Sequence, residues 1–302
     1  MDIKDFSYLK ESTERTQKIR KELFEEIEND EDFHNFLLSN GLNDELIFKN
    51  VGSLIELKRE KDTCKNCKGI KDCKLEQKYL NKNLIFDGEM IDFSIGYCQK
   101  YGRYLNFKNR VLIDDLNVDY FDKGLKSIKN SAVRQDFLKT YANLLSNKSL
   151  KNNLFYLKSK PRSGVTYITN VLFTSYLMKH NVYGIYANSA NRIKELNDLY
   201  FNNKELFEAT MKLYKDVDFL VLNKISFAYI NDFIRDNIIL PILEYRNSKN
   251  KITFVTSELT IDEFGKLLEG KNEQGKIRAK QITSILKSFN YFDISSELGY
   301  ID

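Results

Sequence analysis

Between residues 154 and 295 the sequence alternates short apolar runs with longer amphipathic ones, and this alternation restricts the fold more than any other feature. LFYLKS (154–159), VYGIYANS (182–189), VDFLVLNKI (217–225), ITFVTSE (252–258) and YFDIS (291–295) read as strands. Helical patterns separate them: one from about Thr166 to His180, two across 190–215, a long one from about 229 to 247, and two before the last strand. Parallel strands need crossovers of a dozen or more residues, and strands apolar on both faces must be covered on both sides. The spacing therefore predicts a three-layer α/β domain with a parallel sheet.

The first third of the chain follows other rules. Ile19, Leu23 and Ile27 form a helical stripe within 13–30, and Glu31 to Leu38 is a second helix that stops at Asn40-Gly41. Asn43 or Asp44 can cap a third, with Leu46, Ile47, Val51, Leu54 and Ile55 on one face. Residues 82–97 read as a hairpin turning at Asp87-Gly88. The expected organisation is a helical arm plus cysteine module over 1–103, a polar linker over 104–132, and the α/β domain over 133–302.

All four cysteines lie in one stretch, spaced Cys64-x2-Cys67-x5-Cys73-x24-Cys98. A Cys-x2-Cys knuckle can aim two thiolates at one metal while a hairpin returns the others. Four soft ligands favour structural zinc with no open position. The lysines at 65, 68, 71 and 74 would offset thiolate charge. The alternative is four unrelated thiols in a region that packs without metal. A secreted disulfide scaffold would carry denser cysteine in a smaller chain. With only His34 and His180 available, histidine catalysis is nearly excluded.

Charged residues make up 30% and hydrophobic ones 42%, an ordinary soluble composition. The charged N-terminus does not read as a signal peptide and no apolar run reaches ~18 residues, so a cytoplasmic protein without a membrane span is expected. The net charge of +4, from 47 basic and 43 acidic side chains, allows a local basic face without demanding one. Most Tyr and Phe fall at core periodicity, and none reads as a base-stacking platform.

The strand–loop–helix at 154–180 has the layout of a phosphate-binding loop, which needs glycines, a lysine for the β/γ-phosphates and a hydroxyl for magnesium. In Ser159-Lys160-Pro161-Arg162-Ser163-Gly164-Val165-Thr166, Gly164 and Thr166 fit G-x-x-x-x-G-K-T, Ser159 replaces the first glycine and Val165 replaces the lysine. The strand FLVLNKI stands where two acids would be needed but ends in Asn223-Lys224. Lys158, Lys160 and Arg162 could hold a phosphate or form an ordinary solvated loop.

With these parts in this order, the chain resembles the DnaC/DnaI-type primosomal loaders of the replicative helicase, nearly end to end. EDFHNFLLSNGLNDELIFKNVGSLIEL is similar to their N-terminal arm. Cys64, Cys67 and Cys98 match cysteines of their zinc module, whose histidine falls near Asn81, making Cys73 the substitute. YINDFIRDNIILPILEYRNSKNKITFVTSELTIDEF is the most specific similarity, through Arg235-Asp236, Pro241-Ile242-Leu243 and Thr256-Ser257.

The resemblance implies an AAA+-like P-loop domain behind a helical zinc-binding domain. It also implies a replicative helicase hexamer as partner, and single-stranded DNA as a further one. It would place nucleotide at Lys160, Gly164 and Thr166, and zinc at Cys64, Cys67, Cys73 and Cys98. The departures at Val165, Asn223, Lys224 and Glu258, and at Lys280 and Ser284, imply a pseudo-ATPase and leave open whether ATP and magnesium still bind. The leading expectation is a loader or adaptor without efficient hydrolysis. The alternatives are a slow ATPase using Lys160 or Lys224, and a zinc-bearing regulator that restrains the helicase. Lys224 and Glu258, at the tips of neighbouring strands, are expected to form an ion pair.

Overall fold

The computed structural model describes residues 6–121, 123–128, 131–146 and 152–295. The chain forms two compact units, Met1–Arg103 and Tyr104–Asp302.

In the first unit, helices α1 (Phe6–Glu28), α2 (Glu31–Ser39), α3 (Asp44–Lys49) and α4 (Val51–Lys65) surround a core containing Ile27, Leu37, Ile47, Leu54 and Leu57, all fully buried. Asp30 caps α2 by accepting from Phe33 N–H at 3.1 Å, and Asn43 caps α3 by accepting from Leu46 N–H at 2.9 Å. The helix expected across 44–61 is broken at Asn50, whose amide donates to Leu46 O at 2.9 Å and competes with the backbone ladder. Strands β1 (Leu80–Phe86) and β2 (Ile91–Tyr97) form the expected antiparallel hairpin. Asp87 accepts from Glu89 and Met90 N–H in the turn, and Gly88 takes φ 103°. Leu84, Phe86, Ile91 and Phe93 pack against the helical core.

The second unit carries a six-stranded, wholly parallel sheet. Its strands are β3 (Val111–Asp114), β4 (Leu154–Lys158), β5 (Gly184–Asn188), β6 (Phe219–Asn223), β7 (Ile252–Ser257) and β8 (Asn290–Asp293), in the spatial order β3-β5-β6-β7-β4-β8. Alternate residues serve opposite faces. Leu154, Tyr156, Ile185, Leu220 and Val255 meet α9 (Lys204–Asp216), α11 (Leu240–Ser248), α12 (Ile261–Leu268) and α13 (Glu273–Lys287) in one buried cluster. On the other face an aromatic layer runs through Phe155, Phe254 and Phe219, with centroids 4.6 and 4.9 Å apart. It continues to Phe137 on α6 (Ala132–Leu145) and Phe173 on α7 (Val165–His180). This is the three-layer arrangement that the alternation predicts. The approach of α7 requires Gly184, where a Cβ would stand 2.4 Å from Phe173 Cζ.

Two expectations need correction. Residues 104–132 are not a bare linker: α5 (Gln99–Lys108) runs into them, β3 pairs with β5, and Phe107, Phe121 and Ile128 are buried. Four residues on a sheet edge carry too little alternation to be recognised in sequence. The long helix across 229–247 is interrupted: a short turn, α10 (Asp232–Ile234), leads into a π-helical turn over Arg235–Ile239 before α11, with α8 (Ser189–Asn202) earlier in the chain as expected. Pro241, just beyond, has no N–H to continue the ladder, which accounts for the widened turn.

His34 pairs with Asp44 at 3.0 Å and His180 with Leu145 O at 2.9 Å, both fold-supporting contacts. Among the described residues no helix is long and apolar enough to cross a membrane.

Arg246 on α11 is fully buried. It donates to Tyr214, Lys215 and Val217 carbonyls at the end of α9, and to Ile252 O and Thr253 Oγ1 at the start of β7, at 2.6–3.1 Å. Burial pushes the guanidinium down to about 9, and the carbonyls of a helix C-terminus stabilise its charge. Arg246→Leu should cost about 3 kcal/mol or more in urea denaturation, because several buried carbonyls lose their donor at once. A loss below ~1 kcal/mol would show that water replaces the guanidinium.

Candidate functional site

The loop Ser159–Thr166 joins β4 to α7 at the C-terminal edge of the sheet, where open α/β folds hold ligands. Ser159 N–H donates to Ser257 O at 2.9 Å, tying the loop to β7. Arg162 and Gly164 take φ 60° and 78°, and Gly164 precedes the first turn of α7. A left-handed conformation there suits glycine and turns the chain into the helix. Beneath the loop, buried Arg134 donates to Ser163 O, and burial holds its guanidinium below the usual arginine range.

The loop bounds a cavity of about 130 Å³ with Lys224, Thr256, Ser257 and Glu258. Ligand pockets typically run to roughly 300–1,000 Å³. Lys160 and Arg162 are exposed at its rim, whereas Lys158 is committed to Asp293 at 2.7 Å. Val165, at the lysine position, is buried.

Behind the loop, Asn223 Nδ2 donates to Thr166 Oγ1 at 3.4 Å, Thr256 Oγ1 donates to Asn223 Oδ1 at 2.9 Å, and Lys224 N–H donates to Thr256 Oγ1 at 2.7 Å. The hydroxyl that a phosphate loop offers to magnesium is thus engaged by an amide. The tips of β6 and β7 are closed by neutral hydrogen bonds.

The expected Lys224–Glu258 ion pair is absent among the described residues. Lys224 turns through φ 56° directly after β6 and its side chain is exposed, while Glu258 N–H is held by Ser226 Oγ at 3.2 Å. Both strand tips are fixed through backbone amides, and a solvated lysine gains little from pairing. Lys280 and Ser284 lie exposed on α13.

In the first unit the four cysteines are free and half-buried. Cys64 lies near the end of α4, and Cys67 N–H returns to Cys64 O at 3.1 Å. Tyr79 N–H donates to Cys73 Sγ and Tyr101 N–H to Cys98 Sγ, each at 3.4 Å. Cys64 Sγ approaches Asn81 Oδ1 at 3.8 Å, so Asn81 does neighbour the knuckle. Burial raises the Cys64 thiol first, and nearby Cys67, Cys98 and Cys73 raise it further. Among the described residues no three potential ligands are gathered tightly enough to hold a metal as they stand. The soft donor set with two N–H···S bonds fits zinc chemically.

No family model matches the chain. Replicative helicase loader DnaI of Bacillus subtilis (strain 168) is 22% identical over 260 residues, covering 82% of this chain and 81% of that protein. A crystal structure of DnaI superposes with TM-score 0.53 at 19% identity, over 61% of this chain and 97% of its own. A proposed primosome component from Streptococcus pyogenes serotype M3 gives 0.51 at 17% identity, over 65% and 98%. The chain resembles the helicase loader DnaI, and its α/β unit has the fold of the solved DnaI structure.

If missing charge is what disables the loop, Val165→Lys combined with Asn223→Asp should tighten magnesium-dependent ATP binding by about tenfold or more over the parent, since a charged hydrogen bond contributes ~1.5–3 kcal/mol. Calorimetric titration with and without magnesium measures this; equal affinities would mean that the closed cavity, not the charge, excludes nucleotide.

Proposed function

We propose that this chain acts in DNA replication as a DnaI-like loader or adaptor of the replicative helicase, with efficient ATP hydrolysis lost. Similarity to a helicase loader along 82% of the chain supports the loader class. The neutral Thr166–Asn223–Thr256 chain carries the loss of hydrolysis. Phosphoryl transfer needs magnesium held by the loop hydroxyl and an acid on the neighbouring strand. Here that hydroxyl faces an amide, and Val165 supplies no charge to the phosphates. The work is then done by binding, in the cytoplasm: residues 1–103 contact the helicase hexamer, and the α/β unit is left to engage single-stranded DNA.

Cys64, Cys67, Cys73 and Cys98 hold a structural zinc in this reading. The N–H donors on Cys73 and Cys98 favour thiolate sulfur. The metal would close the knuckle and leave no position for chemistry.

The replicative helicase should co-purify with the full chain and be delivered to a single-stranded circle without ATP turnover by this protein. Helicase capture with blocked delivery would favour the restraining regulator. Turnover abolished by Lys160→Ala would overturn the pseudo-ATPase. Metal analysis should find about one zinc per chain, lowered by Cys67→Ser, with chelation destabilising the folded protein. Protein that stays metal-free and equally stable after zinc addition would return the cysteines to ordinary thiols.

A further inference from the structure

The knuckle carries exposed aromatic and cationic residues to which the loader reading gives no nucleic-acid role. Tyr79 and Tyr101 stack with ring centroids 4.2 Å apart and planes 8° from parallel, and Tyr97 meets Tyr101 edge-on at 5.2 Å. The knuckle backbone fixes these rings. Tyr79 and Tyr101 N–H groups are held by Cys73 and Cys98 sulfurs, and Cys98 N–H donates to Tyr79 O at 2.7 Å. Tyr79 takes φ 70°, a conformation unusual for an aromatic residue. Supported in this way, Tyr97 is nevertheless 62% exposed.

Cations flank the rings in sequence. The segment 64–79 carries five lysines against Asp72 and Glu76. Lys68, Lys74 and Lys78, with Arg103 two residues beyond Tyr101, are exposed and make no ion pair among the described residues. Lys100 Nζ donates to Cys67 O at 2.8 Å and draws the start of α5 onto the knuckle. Four thiolates on one divalent metal would leave a net charge of about −2, less than these cations supply.

An exposed ring packed edge-on against a stacked pair, with unpaired cations close by in sequence, can take a nucleobase on its face and phosphates at its rim. An acidic peptide would use the cations without the ring, and duplex DNA keeps its base faces stacked away. We propose that the Tyr97 face of the cysteine knuckle binds single-stranded nucleic acid, with Tyr97 stacking on a base and Lys74, Lys78 and Arg103 neutralising the flanking phosphates.

Fluorescence anisotropy of the full chain with labelled oligodeoxythymidylate and with a duplex, over a salt series, tests this directly. Tyr97→Ala should weaken single-strand binding by about fivefold or more. Lys74→Gln with Lys78→Gln should flatten the salt dependence by about 1.4 in log–log slope. Ultraviolet cross-links to the oligonucleotide should map to the peptide bearing Tyr97, which distinguishes this surface from any strand bound by residues 104–302. Unchanged affinity and slope in the variants, cross-links confined to 104–302, or equal affinity for the duplex would each overturn the proposal. So would loss of helicase capture in Tyr97→Ala with oligonucleotide binding intact, which would make this a protein-binding face. Failure here leaves the loader reading to its own delivery assay.

Discussion

The buried guanidinium of Arg246 is the contact on which the functional end of the sheet depends. A cation removed from water costs several kcal/mol unless its donors are met, and here five acceptors meet them. Three are carbonyls at the C-terminus of α9, groups that a helix cannot satisfy itself. The others lie at the start of β7. One side chain therefore sets the helix that feeds β6 against the neighbouring strand, fixing where β6 and β7 begin. Because they run in parallel register, with Phe219 opposite Ile252 and Leu222 opposite Val255, it also fixes where they end.

At those ends the register brings Asn223 to Thr256, and Asn223 reaches on to Thr166. An aspartate at 223 would be a buried carboxylate needing a metal or another cation to balance it. Asparagine needs only hydrogen bonds, which Thr166 and Thr256 supply. Asparagine at 223 thus leaves the tips of β6 and β7 satisfied without a buried charge. Gly164 stands at the left-handed turn of the loop, and neither Val165 nor Asn223 brings a charge beneath it.

Much of this was legible in one dimension. The strands β4 to β7 announce themselves because both faces are apolar, and the cap at Asn43 lies where a short polar side chain precedes apolar periodicity. β3 was not legible: four residues on an edge offer no periodic signal. Arg246 was missed for a different reason, since an arginine in LEYRNSKN reads as surface, and only packing shows it sealed between α9 and β7. The same holds for Arg134 beneath the loop. The Lys224–Glu258 pair is absent among the described residues: β6 and β7 are neighbours as expected, but Lys224 turns away through a left-handed conformation and Glu258 N–H is held by Ser226.

Composition and spacing alone determined that residues 154–295 must build a parallel α/β sheet, that the loop lacks its lysine and the neighbouring strand its acids, and that four thiols share one short module. These are properties of residue type and period, which local physics reads directly. The tertiary structure decided what fills the positions left behind. Hydrogen bonds among Thr166, Asn223 and Thr256, acceptors around Arg246, and the stacking of Tyr79 on Tyr101 join residues distant in sequence. Such contacts depend on distances of a few tenths of an ångström and on bond direction, which exist only once the strands are in register and the knuckle has closed.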